Sequence, residues 1–244
     1  MTDSTAGAIA PTEPTSFWED VIDIFFQPAA VFRRRATKSV WPPMLLVSIG
    51  VGIIFAATFN TIEPAFSADF SRSMAAAMAK SPQMTAEMAD RARGFAETTA
   101  RYASGLITFI SMFVIGCLTW LVAKLLGARQ TFHAALVVAA WSYMPRVIAA
   151  VLVAAEGLIM DPQNFTGMMS LSFSPARFMD PGSSNQLLLQ LAGRADLFTI
   201  WVTILLAVGV YVTGKISKDR AVIFGLLIWL IGSLPALRQG FLAM

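Results

Sequence analysis

The sequence predicts an all-α polytopic membrane protein: a bundle of five transmembrane helices preceded by an amphipathic interfacial helix. Three observations carry this. The 244 residues are 56% hydrophobic and 14% charged, whereas a soluble domain carries roughly 25% charged residues. The mean hydropathy is +0.65. The apolar residues gather into five runs, each meeting or approaching the roughly 20 residues a helix needs to cross a bilayer core. The runs are continuous and do not alternate with period two, so helices rather than barrel strands are the natural elements.

Residues 1–15 are small, polar and proline-bearing and read as a disordered tail without a cleavable signal; the first span is expected to serve as the insertion signal. Residues 16–40 read as an amphipathic membrane-surface helix with a basic end. Ser16 followed by Glu19 is a capping-box pattern that starts the helix at Phe17. Glu19, Asp20, Asp23 and Gln27 share one face; Trp18, Ile22, Phe25, Phe26, Ala29 and Phe32 share the other. Pro28 should bend or restart the helix. Arg33, Arg34 and Arg35 at its end suit anionic lipid head groups. Trp18, Phe25, Phe26 and these three arginines are therefore the candidate contacts to lipid or a partner. A short helix docked on the bundle is the alternative reading of the same segment.

The domain at 41–244 holds spans at about 42–60, 105–126, 134–159, 197–214 and 221–242. Ser48, Gly52 and Ala56 repeat every four positions and favour close helix packing, within the chain or in a homo-oligomer. Arg33, Arg34, Arg35 and Lys38 precede the first span, and Glu63 and Asp69 follow it. That asymmetry puts the N-terminus in the cytoplasm and, with an odd number of spans, the C-terminus in the periplasm of a bacterial inner membrane. The connections at 127–133 and 215–220 then lie on the cytoplasmic side. Residues 61–104 read as short helices broken at Pro82, and 161–195 as an irregular loop with a helix at 184–194.

The third span carries Tyr143, Pro145 and Arg146 near its middle. An arginine at the centre of a span costs roughly 2.5–3.5 kcal/mol on insertion scales, so it requires a partner or water. Pro145 should kink the helix and free a carbonyl. Glu156 lies towards the outer end, and Asp196 suits the N-cap of the fourth span. Tyr143, Pro145, Arg146, Glu156 and Asp196 form the candidate intramembrane polar site.

Catalysis finds little to work with. One histidine, His133, and one cysteine, Cys117, fall short of the three or four ligands of a zinc site. Zincin, Walker-loop and G-x-S-x-G patterns are absent from the sequence. The methionines at 74, 78, 84 and 88 read as adaptable packing rather than metal ligands. No cofactor, metal site or catalytic residue is expected. The net charge of +3 is split into short clusters between apolar runs, which argues against nucleic acid as a partner.

Three segments carry a resemblance: FFQPAAVFRRR at 25–35, GARQTFHAALVVAAWSYMPRVIAAVL at 127–152, and ADLFTIWVTILLAVGVYVTGKISKDRAVIFGLLIWLIG at 195–232. With Tyr143-Met144-Pro145 and the Asp-Leu-Phe…Trp stretch at 196–201, the chain resembles the bacterial branch of the Yip family. These are small five-span proteins related to the eukaryotic Ypt/Rab-interacting proteins. The resemblance implies the fold, the membrane location and a cytoplasmic N-terminus. The eukaryotic relatives are adaptors with small-GTPase partners. Their Asp-Leu-Tyr-Gly-Pro element is absent here, with Asp196-Leu197-Phe198 a partial echo elsewhere, and so is their acidic cytoplasmic domain. GTPase binding is therefore not carried over.

The expected function is that of a non-enzymatic membrane-organising or adaptor protein, binding anionic lipid head groups, a membrane-protein partner or a second copy. The alternative is a small transporter or channel using Arg146 and Pro145. An enzyme would require Glu63, Glu156 and Asp196 to converge.

Overall fold

A computed structural model of the chain describes residues 15–81 and 83–242. All but Thr15 of the expected tail, and Pro82, lie outside the described residues. The described chain forms nine α-helices: α1 Phe17–Phe26, α2 Pro28–Arg35, α3 Trp41–Lys80, α4 Ala86–Leu125, α5 Phe132–Ser142, α6 Pro145–Ile159, α7 Gln186–Arg194, α8 Leu197–Gly214 and α9 Lys218–Leu242. Five helical segments are long and apolar enough to span a membrane: α3, α4, the joined α5–α6, α8 and α9.

The capping box forms as its sequence dictates. The Ser16 hydroxyl accepts the Glu19 amide and the Glu19 carboxylate accepts the Ser16 amide. Gln27 leaves helical geometry at φ −133° and ψ 53°, and Pro28 restarts the chain as the first residue of α2. This short N-terminal pair docks on α8 and α5. Ile24, Val31 and Phe32 are fully buried there.

Helices α3 and α4 contain 40 residues each, about 60 Å at 1.5 Å per residue. The short broken helices expected over 61–104 are instead continuous extensions of the first two spans. The stretch 65–80 is rich in alanine and contains no breaker. The hairpin is also stitched: Arg93 of α4 reaches Glu63 of α3 at 3.0 Å, and Arg101 donates to Asn60. The apolar halves close on small residues. A Cβ on Gly105 would lie 2.7 Å from the Ser48 carbonyl oxygen and 3.2 Å from the Gly52 Cα. The small-residue stripe thus serves packing within the chain.

Helix α5 is the buried centre of the bundle, packed on α4 and α8. Ala134, Ala135 and every residue from Val137 to Ser142 are buried. The expected kink is present. Proline cannot donate to the Trp141 carbonyl, which accepts instead from the Met144 amide at 3.3 Å; the Arg146 amide turns to Tyr143 at 2.9 Å. Residues 160–185 contain three short 3-10 turns, and α7 falls inside the helix expected at 184–194. Phe165 and Leu171 of that loop join Phe59, Ile62 and Ala65 of α3 in a second, smaller core.

One end of the bundle is tied together by three contacts. His133 Nε2 lies 2.8 Å from the Lys38 carbonyl oxygen, the Arg129 amide donates to Gly214 at 2.9 Å, and Thr213 donates to the Gln130 side chain at 2.7 Å. The start of the first span and the α4–α5 and α8–α9 connections therefore share one side, as the alternation of spans requires.

Candidate functional site

Two polar assemblies stand out against the apolar bundle. The first closes the α1–α2 hairpin. Asp20 has no exposed surface, although periodicity placed it on the water-facing side. Arg34 Nε donates to one of its carboxylate oxygens at 2.9 Å, and Arg35 donates to the other. Arg34 also reaches Asp23 at 2.6 Å. Burial opposes the charge on Arg34, but the hydrogen bonds and charges of Asp20 and Asp23 outweigh it and hold its pKa above the ordinary arginine value. The Arg35 guanidinium lies 6.0 Å from the Phe17 ring centroid and 5.9 Å from that of Trp141. A buried carboxylate needs such partners, because an unpaired one costs several kcal/mol.

This pairing divides the predicted contact residues. Arg34 and Arg35 are taken up by Asp20, and Phe25 packs edge-on against Trp201 at 5.6 Å. These three serve the chain's own packing. Trp18, Ile22 and Phe26, four residues apart along α1, remain 65%, 62% and 79% exposed, and Arg33 in the last turn of α2 is exposed. The helix thus carries an outward apolar stripe on a rigidly held base.

The second assembly surrounds the kink. Arg146 Nη2 donates to Thr199 Oγ1 at 3.0 Å, and its Nη1 lies 3.8 Å from Asp196 Oδ1. Thr199 completes a relay: its hydroxyl donates to Asp196 at 3.1 Å and its amide does so at 2.9 Å. Asp196 is the N-cap of α8, as its position suggested. Arg194 stands close by, donating to Ser233 at 3.1 Å, with its pKa lowered by burial and by the Arg146 charge. Tyr143 and Arg146 line one cavity of about 340 Å³ between α3, α4 and α6, together with Val51, Phe55, Thr108 and Ser111.

Of the five residues proposed for the intramembrane site, Tyr143, Pro145, Arg146 and Asp196 belong to this assembly. Glu156 does not: it pairs with Arg177 of the 160–185 loop at 3.1 Å. Glu63 pairs with Arg93. The three carboxylates an enzyme would have needed together are each engaged by a different arginine. Sequence reasoning missed the roles of Asp20, Arg194, Thr199 and Ser233. The pairs Asp20–Arg34, Arg146–Thr199 and Arg194–Ser233 are 14 or more residues apart in the chain, beyond the reach of helical periodicity, although an acidic residue on a docked helix ending in arginines was a usable signal for Asp20.

Among the described residues, no group of three or more His, Cys, Asp or Glu is placed to hold a metal ion. No curated protein and no solved structure matches the chain. A family model of the Yip1 domain matches residues 22–237, from within α1, through all five spans and the polar assembly around Arg146, to the last turns of α9. The chain is thus a multi-pass membrane protein of the Yip1-domain family.

Proposed function

We propose that this protein is a non-catalytic membrane-organising adaptor that engages a lipid or protein partner through the outer face of α1. The observation that carries the reading is the stripe Trp18, Ile22 and Phe26, held outward while Asp20, Ile24 and Phe32 fix the hairpin from beneath. Large exposed aromatics on a rigid base cost little ordering entropy on binding and are enriched among contact hot spots. Arg33, which makes no ion pair among the described residues, adds a cation at the rim, suited to anionic head groups or an acidic partner surface. The separate pairing of Glu63, Glu156 and Asp196 supports a non-catalytic role. The bacterial inner membrane is the proposed location, with the N-terminus in the cytoplasm and the C-terminus in the periplasm. The asymmetry at the first span supports that orientation, since Arg33, Arg34, Arg35 and Lys38 precede it while Glu63 and Asp69 follow it. Photo-crosslinkers at Trp18 and Phe26 test the reading by capturing what touches this face in cells.

A second reading, transport, draws on the cavity of about 340 Å³ lined by Tyr143 and Arg146. It requires solute flux in liposomes that Arg146→Leu abolishes.

A further inference from the structure

The connections α4–α5 and α8–α9 form a pocket of about 490 Å³ that neither reading above uses, lined by Gly127, Arg129, Lys215, Ile216, Ser217 and Arg220. Its walls are fixed by the Arg129 to Gly214 and Thr213 to Gln130 hydrogen bonds described above. Among the described residues, Arg129, Lys215, Lys218 and Arg220 make no ion pair with an acidic group. Arg220 instead donates to the Leu126 carbonyl at 3.2 Å.

Two backbone features hold these cations in place. Gly127 has φ +82°, and a Cβ there would lie 3.1 Å from Arg220 Nη1, so glycine leaves room for the guanidinium. Lys215 caps α8 at φ 54° and ψ 39°, the left-handed region. It is the one residue other than glycine with positive φ among the described residues. Glycine is the usual occupant of such a helix-ending position. A lysine there accepts backbone strain and contributes a charge to the pocket, the kind of outlier that accompanies a functional site.

An apolar groove of about 720 Å³ runs between α8 and α9, walled by Ile200, Ile204, Ala207, Val208, Val222 and Leu226. Ser217 lines the pocket and Lys218 lines the groove, so the two are lined by neighbouring residues at the start of α9. Leu125, 79% exposed, lines a further cavity together with Gly127 and Arg220. A cationic cradle bordered by exposed leucine, with an apolar groove lined from the next residue of the chain, is complementary to an amphiphile with an anionic head rather than to a free anion.

We propose that Arg129, Lys215 and Arg220 bind the phosphate of an anionic phospholipid whose acyl chain lies in the α8–α9 groove. The site is separate from the α1 stripe, and its failure would leave the adaptor reading untouched.

The full chain in a neutral detergent is titrated with phosphatidylglycerol, with phosphatidylcholine of the same acyl chains, and with inorganic phosphate. Melting temperature and lipid retention in native mass spectra are read. Phosphatidylglycerol is expected to stabilise the protein and to bind about tenfold more tightly than phosphatidylcholine, the equivalent of roughly one charge-assisted contact. Lys215→Gly is expected to cost about tenfold in phosphatidylglycerol affinity while the lipid-free protein melts no lower, because glycine suits the backbone. A purely structural lysine would not separate those two readouts. Arg129→Gln with Arg220→Gln is expected to weaken binding further; if that pair fails to fold, Lys215→Gly decides alone. Equal binding of the two lipids, or wild-type affinity in Lys215→Gly, overturns the proposal. Inorganic phosphate reproducing the full stabilisation at equal concentration overturns the lipid assignment in favour of a free-phosphate site.

Discussion

Asp20 of α1 and Arg35 of α2 face each other across the break at Gln27, and the carboxylate, fully buried, accepts hydrogen bonds from Arg35 and Arg34 together. That relationship makes the two short helices one rigid body and fixes which of their side chains face outward. Short helices of this length are marginal in isolation, so their order depends on this clasp and on the apolar contacts of Ile24, Val31 and Phe32 with the bundle.

Asp20→Ala should therefore release the hairpin. Removing one partner of a buried ion pair costs about 3–5 kcal/mol, because the opposite charge is left uncompensated. Amide exchange over residues 17–35 should rise sharply while the spans stay protected. Unchanged exchange there would mean that apolar docking suffices without the clasp.

The α3–α4 contact makes a paired prediction about two glycines of one helix. Gly105→Ala would push a methyl group into the Ser48 carbonyl oxygen, an overpacking expected to cost about 1–3 kcal/mol. Gly94 has nothing within 4 Å of its would-be Cβ, so Gly94→Ala should stabilise α4 by roughly 0.5–1 kcal/mol through helix propensity alone. Melting temperatures in detergent should move in opposite directions.

The relay from Arg146 through Thr199 to Asp196 is a coupled unit. Arg146→Leu and Asp196→Asn should each destabilise the protein, and the double variant should lose less than their sum. The expected coupling is about 0.5–3 kcal/mol. Strict additivity in the double-mutant cycle would show that the arginine relies on water rather than on α8.

Much of this architecture was legible in the sequence because its causes are local. The Ser16–Glu19 capping box, the restart at Pro28, the kink at Pro145 and the Asp196 cap each depend on neighbours within four residues. The apolar runs identified the five spans. The lengths of α3 and α4 were not legible, since an apolar run marks where a helix is in lipid, not where it stops. The extensions over 61–80 and 86–104 depend on pairs such as Glu63–Arg93 and Asn60–Arg101, 30 and 41 residues apart. The same distance problem concealed Asp20. A carboxylate opposite an apolar face reads as solvent-facing until the arginines that bury it are placed. The site at Arg146 was half legible: the residue demanded a partner, and the candidate Asp196 proved to be close, but Thr199 and Arg194 required the packing of α6 against α8.

The adaptor reading separates two kinds of residue on α1. Trp18→Ser with Phe26→Ser should leave the melting temperature nearly unchanged, within about 0.5 kcal/mol, since surface substitutions away from packed features rarely do more. The same pair should reduce recovery of any partner. A large fall in stability would instead make the stripe part of the chain's own packing.

The most direct measurement places a photo-crosslinking amino acid at Phe26 and, as a control in the same helix, at Ile24. Phe26 is 79% exposed and Ile24 fully buried. The account predicts lipid or protein adducts in cells from position 26 and only adducts within the chain from position 24. Equal intermolecular adducts from both positions, or none from position 26, would contradict it.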